Sequence, residues 1–206
     1  MPANCDKNAA GNIKAVFMTI SDQLLLMCSA LGGLNGLLLA AYFFWQRTDR
    51  LPYRLLGALL LMLSIRVLKS VLFYFNPDIG KQILQLGLSA CWMIGPLLFC
   101  YSKSICRPDT TWRRLQWQLA IPLLLVALTG TLWPYADYPQ LWGGLIYRVI
   151  NYSWLVYIML SGVLYWRTYQ SSGVIARLNS MQETLLLVMI ASNLLIWSAF
   201  YFASYT

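Results

Sequence analysis

Three cations stand where an apolar chain has little use for them: Arg66 and Lys69 in "SIRVLKSVLFYF" (64–75), and Arg148 in "YRVINYSW" (147–154). A charged side chain in the hydrocarbon layer costs about 2.5–3.5 kcal/mol even on the gentlest scale, so something must offset it. The seven acids, Asp6, Asp22, Asp49, Asp78, Asp109, Asp137 and Glu183, all fall in loops or at segment edges. One role that remains for the cations is to hold an anion, gripping the carboxylate or phosphate of an amphipathic molecule, and another is to be met by backbone carbonyls. Two plainer roles stay open: snorkelling to lipid phosphates, which suits Lys69 best, and contact with water in an outward-open cavity.

Arg66 and Lys69 are three residues apart, which puts them on one helix face that continues to Phe73. In the stretch around Arg148, Tyr147, Arg148, Asn151, Tyr152 and Trp154 form a polar and aromatic side, while Ile146, Val149 and Ile150 form a side suited to lipid. Trp92, Trp154 and Trp197 lie far from the segment ends and are suited to wall the deep end of a pocket, with Asn151 and Asn193 offering hydrogen bonds. Core packing is the other reading of each tryptophan. The candidate ligand site is therefore Arg66, Lys69, Arg148, Asn151, Tyr152, Trp92, Trp154, Asn193 and Trp197.

Other chemistries lack their reagents. There is no histidine, which removes the commonest metal ligand and the usual base near neutral pH. With every acid outside the apolar segments, neither a carboxylate pair nor an intramembrane proton relay can form. The expectation is a protein that is not an enzyme and needs neither cofactor nor metal.

The elements that position these residues follow from composition. Of 206 residues, 59% are apolar and 11% charged, with a mean hydropathy of +0.59, the balance of a membrane protein. Lipid leaves backbone polar groups no partner but the chain itself, and a helix needs roughly 20 apolar residues to cross. Six windows qualify, 24–45, 55–75, 83–102, 115–133, 141–166 and 184–204, giving an all-α polytopic bundle after an extracytoplasmic segment 1–23. If the first helix runs inward, the cytoplasmic loops hold Arg47, Arg50, Arg54, Lys103, Arg107, Arg113, Arg114, Arg167 and Arg177 against Lys7, Lys14 and Lys81 outside. This asymmetry places both termini outside and accounts for most of the net charge of +8. Arg66, Lys69 and Arg148 then lie about 13, 9 and 10 Å below the outer surface.

Trp45, Trp112, Trp117, Trp133, Trp142 and Trp166 mark the segment ends, as amphipathic rings do at headgroup level. No cleavable leader is evident, so the first helix is expected to serve as the insertion signal. Cys5, Cys28, Cys91, Cys100 and Cys106 have no CxxC spacing and read as small packing residues. Gly32 and Gly36 are in GxxxG spacing on the first helix, and Gly87, Cys91 and Gly95 give the third a small residue at every fourth position, the mark of a central helix. Pro96 is expected to kink that helix. In "RTYQSSGVIARLNSMQETL", Val174, Ile175, Leu178 and Met181 fit a short amphipathic segment on the inner surface.

The stretch "LGGLNGLLLAAYFFWQRTDRLPYRLLGALLLMLSIRVLKSVLFYF", with "IGPLLFCYSKSI" after it, resembles the membrane-embedded N-terminal region of bacterial AraC-type helix-turn-helix regulators. The basic "QRTDRLPYRLLG" turn and "GPLL" carry most of the likeness, which covers residues 24–104 and continues more loosely beyond. The resemblance implies an inner-membrane sensor, commonly of seven helices, that precedes a cytoplasmic DNA-binding domain. No such domain lies within these 206 residues, so this chain is expected to make no direct contact with nucleic acid. It is then either the sensor portion of a longer protein or a stand-alone relative. The resulting expectation is a bacterial inner-membrane receptor module for an amphipathic anion or lipid, with membrane lipids and a homo-oligomeric or membrane-protein partner around it. Two rivals stay open: an oligomeric channel or membrane-disrupting effector, and an accessory subunit of a larger membrane complex.

Overall fold

A computed structural model describes residues 20–45, 51–75, 80–107, 112–170 and 180–205. They form six long helices: α1 (Ile20–Trp45), α2 (Leu51–Phe75), α3 (Lys81–Cys106), α4 (Trp112–Leu132), α5 and α6 (Ser180–Tyr205). α5 is composite. It opens with Pro139–Leu141, passes through a π-helical turn at Trp142–Ile146 and continues as Tyr147–Gln170. All six are long and apolar enough to cross a membrane, so the chain is a polytopic helical membrane protein. The spans match the sequence windows to within a few residues at most ends. Of the terminal segment 1–23, residues 1–19 lie outside the described residues and the rest opens α1; of the proposed surface segment, Val174, Ile175 and Leu178 lie outside them and Met181 is exposed at the start of α6.

α3 is the hub. It packs against α2, α4 and α5 and touches α6, and half of its apolar window is buried, against 11% for α1, α4 and α6. Its small residues allow this. A Cβ on Gly95 would lie 2.9 Å from Tyr157 Cδ2 and 3.3 Å from Trp154 Cα, so α5 can lie this close only across a glycine. Cys91, Cys100 and Cys106 are buried free thiols, while Cys28 is exposed. The main core joins Leu55 and Leu59 of α2, Ile94 and Leu98 of α3, Leu115 of α4, Trp154 and Ile158 of α5 and Leu186 of α6.

A second, smaller cluster holds Leu88, Cys91, Trp142, Ile146 and Ile150, with Trp92 packed against it. This cluster corrects two expectations. Ile146 and Ile150 were assigned to lipid, yet both face the interior, because the buried stripe of α5 runs through Trp142, Ile146, Ile150, Trp154 and Ile158 at four-residue spacing. Trp142 was placed in the interfacial belt but is fully buried, its indole N–H donating to the Trp133 carbonyl at 2.6 Å. The other five tryptophans assigned to segment ends are all exposed, as that layer requires.

α5 and α6 run side by side in opposite directions. The Trp197 indole N–H donates to the Asn151 carbonyl at 2.9 Å, and the Tyr165 hydroxyl donates to the Glu183 carboxylate at 2.8 Å. The two bonds are equally spaced along both helices. This register sets Asn193, one turn before Trp197, level with the turn of α5 that carries Trp154.

Candidate functional site

Arg66 does not reach for the surface. Only 5% of it is exposed, and its guanidinium lies between two rings, 4.4 Å from the Trp154 centroid on α5 and 4.0 Å from the Phe200 centroid on α6. Two desolvated cation–π contacts offset part of the cost of burying the charge. They supply no hydrogen-bond acceptor in the guanidinium plane, and Arg66 Nη1 has no hydrogen-bond partner among the described residues. The described acidic side chains are elsewhere: Asp137 is exposed in the α4–α5 connection, and Glu183 takes the Tyr165 hydroxyl.

Beside Arg66 lies a cleft of about 490 Å³, within the range of small-ligand sites. Ser29, Gly32 and Gly36 of α1 form one wall, Leu63, Ser64 and Ser70 of α2 the floor around Arg66, and Ile196 and Phe200 of α6 the opposite side. α1 packs on α2 whereas α6 is carried by α5, which leaves the gap between them. The GxxxG glycines divide their roles. Gly36 sits against the Ser64 hydroxyl, so a Cβ there would collide, and α1 is held close to α2. Gly32 has nothing within 4 Å of a Cβ position, and opens onto the cleft. The Ser64 and Ser70 hydroxyls donate to the carbonyls of Leu60 and Arg66 in their own helix, which leaves their oxygens free to accept.

No family model, curated protein or solved structure matches the chain. The geometry alone must therefore sort the residues.

Of the nine predicted residues, Trp154 meets the Arg66 guanidinium directly, Asn151 and Trp197 are joined across the neighbouring α5–α6 interface, and Asn193 is buried on α6 one turn from Trp197. Asn151, Trp154 and Asn193 are buried, and each holds one polar atom, Asn151 Nδ2, Trp154 Nε1 and Asn193 Oδ1, with no hydrogen-bond partner among the described residues. Trp197 is satisfied by its bond to Asn151 and stacks on Tyr201, with centroids 5.1 Å apart. Its contribution is to hold α6 in register.

The other four lie apart. Lys69 is half-buried, its aliphatic stem crossing Gly87 of α3 and its Nζ 5.9 Å from the Phe73 centroid. That is the posture of a snorkelling lysine. Arg148 is exposed, donates from Nε to the Gly144 carbonyl at 3.3 Å, and lines a different hollow with Asp137, Tyr138 and Gln140. The recess that was expected to shelter all three cations therefore holds Arg66 alone. Tyr152 is exposed, and Trp92 belongs to the second core cluster. Sequence reasoning missed Phe200 and the polar rim of Ser29, Ser64 and Ser70. The repeat Ser29, Gly32, Gly36 was a usable signal, whereas nothing set Phe200 apart from its lipid-facing neighbours.

Proposed function

We propose that the chain is a non-enzymatic receptor module of a bacterial inner membrane, with both termini on the outer side, and that an amphipathic anion fills the cleft between α1, α2 and α6. The observation that carries this reading is Arg66: a buried cation on the wall of an apolar cleft, with an N–H that meets no acceptor and no carboxylate among the described residues. An anionic head completes the coordination that Trp154 and Phe200 leave unfinished, and an acyl tail replaces lipid against Leu63 and Ile196. Binding then biases the bundle, because Arg66 reaches both α5 and α6, and an anion that draws it towards the cleft weakens those ring contacts. Transmission to the cytoplasmic side, as the AraC-type resemblance implies, is the role assigned to α6.

The test uses the whole chain in nanodiscs of zwitterionic lipid and a photoactivatable fatty acid. Labelling should concentrate on α1 and α2 peptides around the cleft, be displaced by unlabelled acid, and fall away for the methyl ester. Equal labelling by acid and ester, spread over the exposed face of α4, would remove the reading.

A further inference from the structure

Four buried polar atoms on α2, α5 and α6 have no hydrogen-bond partner among the described residues: three donors, Arg66 Nη1, Asn151 Nδ2 and Trp154 Nε1, and one acceptor, Asn193 Oδ1. Asn151 and Trp154 stand one turn apart on α5, the guanidinium lies over Trp154, and the α5–α6 register sets the buried Asn193 level with the turn that carries Trp154. The orientation of Asn193 is fixed by its own helix. Its Nδ2 donates to the Met189 carbonyl at 2.8 Å, and since a carbonyl only accepts, Oδ1 must be the end left without a partner among the described residues. Of these four residues Arg66 alone lines the cleft, with Ile196 and Phe200 on its α6 side, so a head group reaches Asn151, Trp154 and Asn193 only by displacing the guanidinium from between its rings.

Each unmet group is costly in an apolar interior, and a charged one more so. Water supplies hydrogen bonds but not charge. Three N–H groups, one of them cationic, match the two oxygens of a carboxylate. The lone acceptor does not, since an anion placed against Asn193 Oδ1 is repelled unless the same head offers a donor. The Ser64 and Ser70 oxygens, whose hydrogens are committed to carbonyls, repeat that demand on the cleft side.

We infer that the head group is a carboxylate with a hydrogen-bond donor beside it, on a single acyl chain: a β-hydroxy fatty acid or an N-acyl amino acid rather than a plain fatty acid. A cleft of about 490 Å³ sits in the lower half of the small-ligand range, which favours one tail over two. This inference rests on the proposed amphipathic-anion site and narrows its ligand. The carboxylate binds Arg66 with Asn151 and Trp154, and the neighbouring hydroxyl or amide N–H donates to Asn193.

The experiment compares myristate, β-hydroxymyristate and N-myristoylglycine as competitors for a fluorescent fatty acid on the full chain in nanodiscs. At least one of the donor-bearing acids should bind roughly five- to tenfold tighter than myristate, the yield of one buried hydrogen bond. Asn193→Leu should erase that gain while still binding myristate, which also shows that the variant folds. Arg66→Gln should weaken all three acids. Equal affinity of the three acids for the unaltered protein, or an advantage that survives Asn193→Leu, would overturn the inference and leave the anion site standing. Failure of every acid to compete would remove the anion site itself.

Discussion

Arg66→Met separates a ligand-binding arginine from a structural one, because the two roles predict opposite changes. Methionine keeps most of the length of the side chain and removes the charge. Relief of the intramembrane charge recovers about 2.5–3.5 kcal/mol. Against this stand two cation–π contacts, at 4.4 and 4.0 Å, worth about 1–2 kcal/mol each when desolvated. A thioether between the same rings returns about 0.3–1.5 kcal/mol. The variant should therefore fall between about 1 kcal/mol less stable and about 3 kcal/mol more stable than the parent, centred on a small gain. Anion binding should move the other way, falling roughly ten- to a hundredfold with the loss of charge-assisted hydrogen bonds of about 1.5–3 kcal/mol. Unfolding in mixed micelles gives the first quantity, and displacement of a fluorescent fatty acid gives the second. A variant destabilised by more than about 2 kcal/mol that still bound the acid would refute the reasoning, and make Arg66 a clamp between helices.

Gly32→Phe should fill the cleft with little change in stability, below about 1 kcal/mol, since no atom lies within 4 Å of its Cβ position and glycine is a poor helix former. Ligand affinity should drop more than tenfold in the same displacement assay. Gly95→Ala should cost about 1–3 kcal/mol in unfolding experiments, because the new methyl meets the Trp154 backbone, which cannot swing aside. Tyr165→Phe deletes the hydroxyl that holds Glu183 and should cost about 1 kcal/mol, with faster amide exchange confined to the Glu183 end of α6.

The six spans were legible because hydropathy and length are properties of each segment alone. The centrality of α3 was legible too, since Gly87, Cys91 and Gly95 announce close packing without reference to a partner. Facing was harder to read. In water, burial and polarity separate the two sides of a helix, but in lipid both sides are apolar, so the pattern that points inward in a soluble protein is largely erased. Ile146 and Ile150 look no less suited to lipid than Val149, yet the first two are buried and the third exposed. Depth misled in the same way: Arg66 and Arg148 were set at similar heights, but height says nothing about which side of the bundle a residue occupies. The polar residues Asn151 and Asn193 were the better guides, because an amide in an apolar helix has reason to turn inward whatever its neighbours are.

The uneven attachment of α6 gives the site its leverage. α6 packs on α5 and only lightly on α3, and near Phe200 it is met by Arg66 from α2. A ligand can shift the position of α6 only by changing a contact that differs between two arrangements. The guanidinium sandwich is such a contact, since the same cation cannot both lie centred between Trp154 and Phe200 and turn its free N–H fully onto an anion in the cleft. At the other end of the helix the Tyr165–Glu183 bond fixes α6 to α5. A tilt begun at Phe200 is therefore constrained near Glu183, so Tyr165→Phe should leave acid binding intact while weakening whatever response the acid evokes on that side. A variant that lost binding and response in parallel would place the effect in the cleft, and remove α6 as the transmitting element.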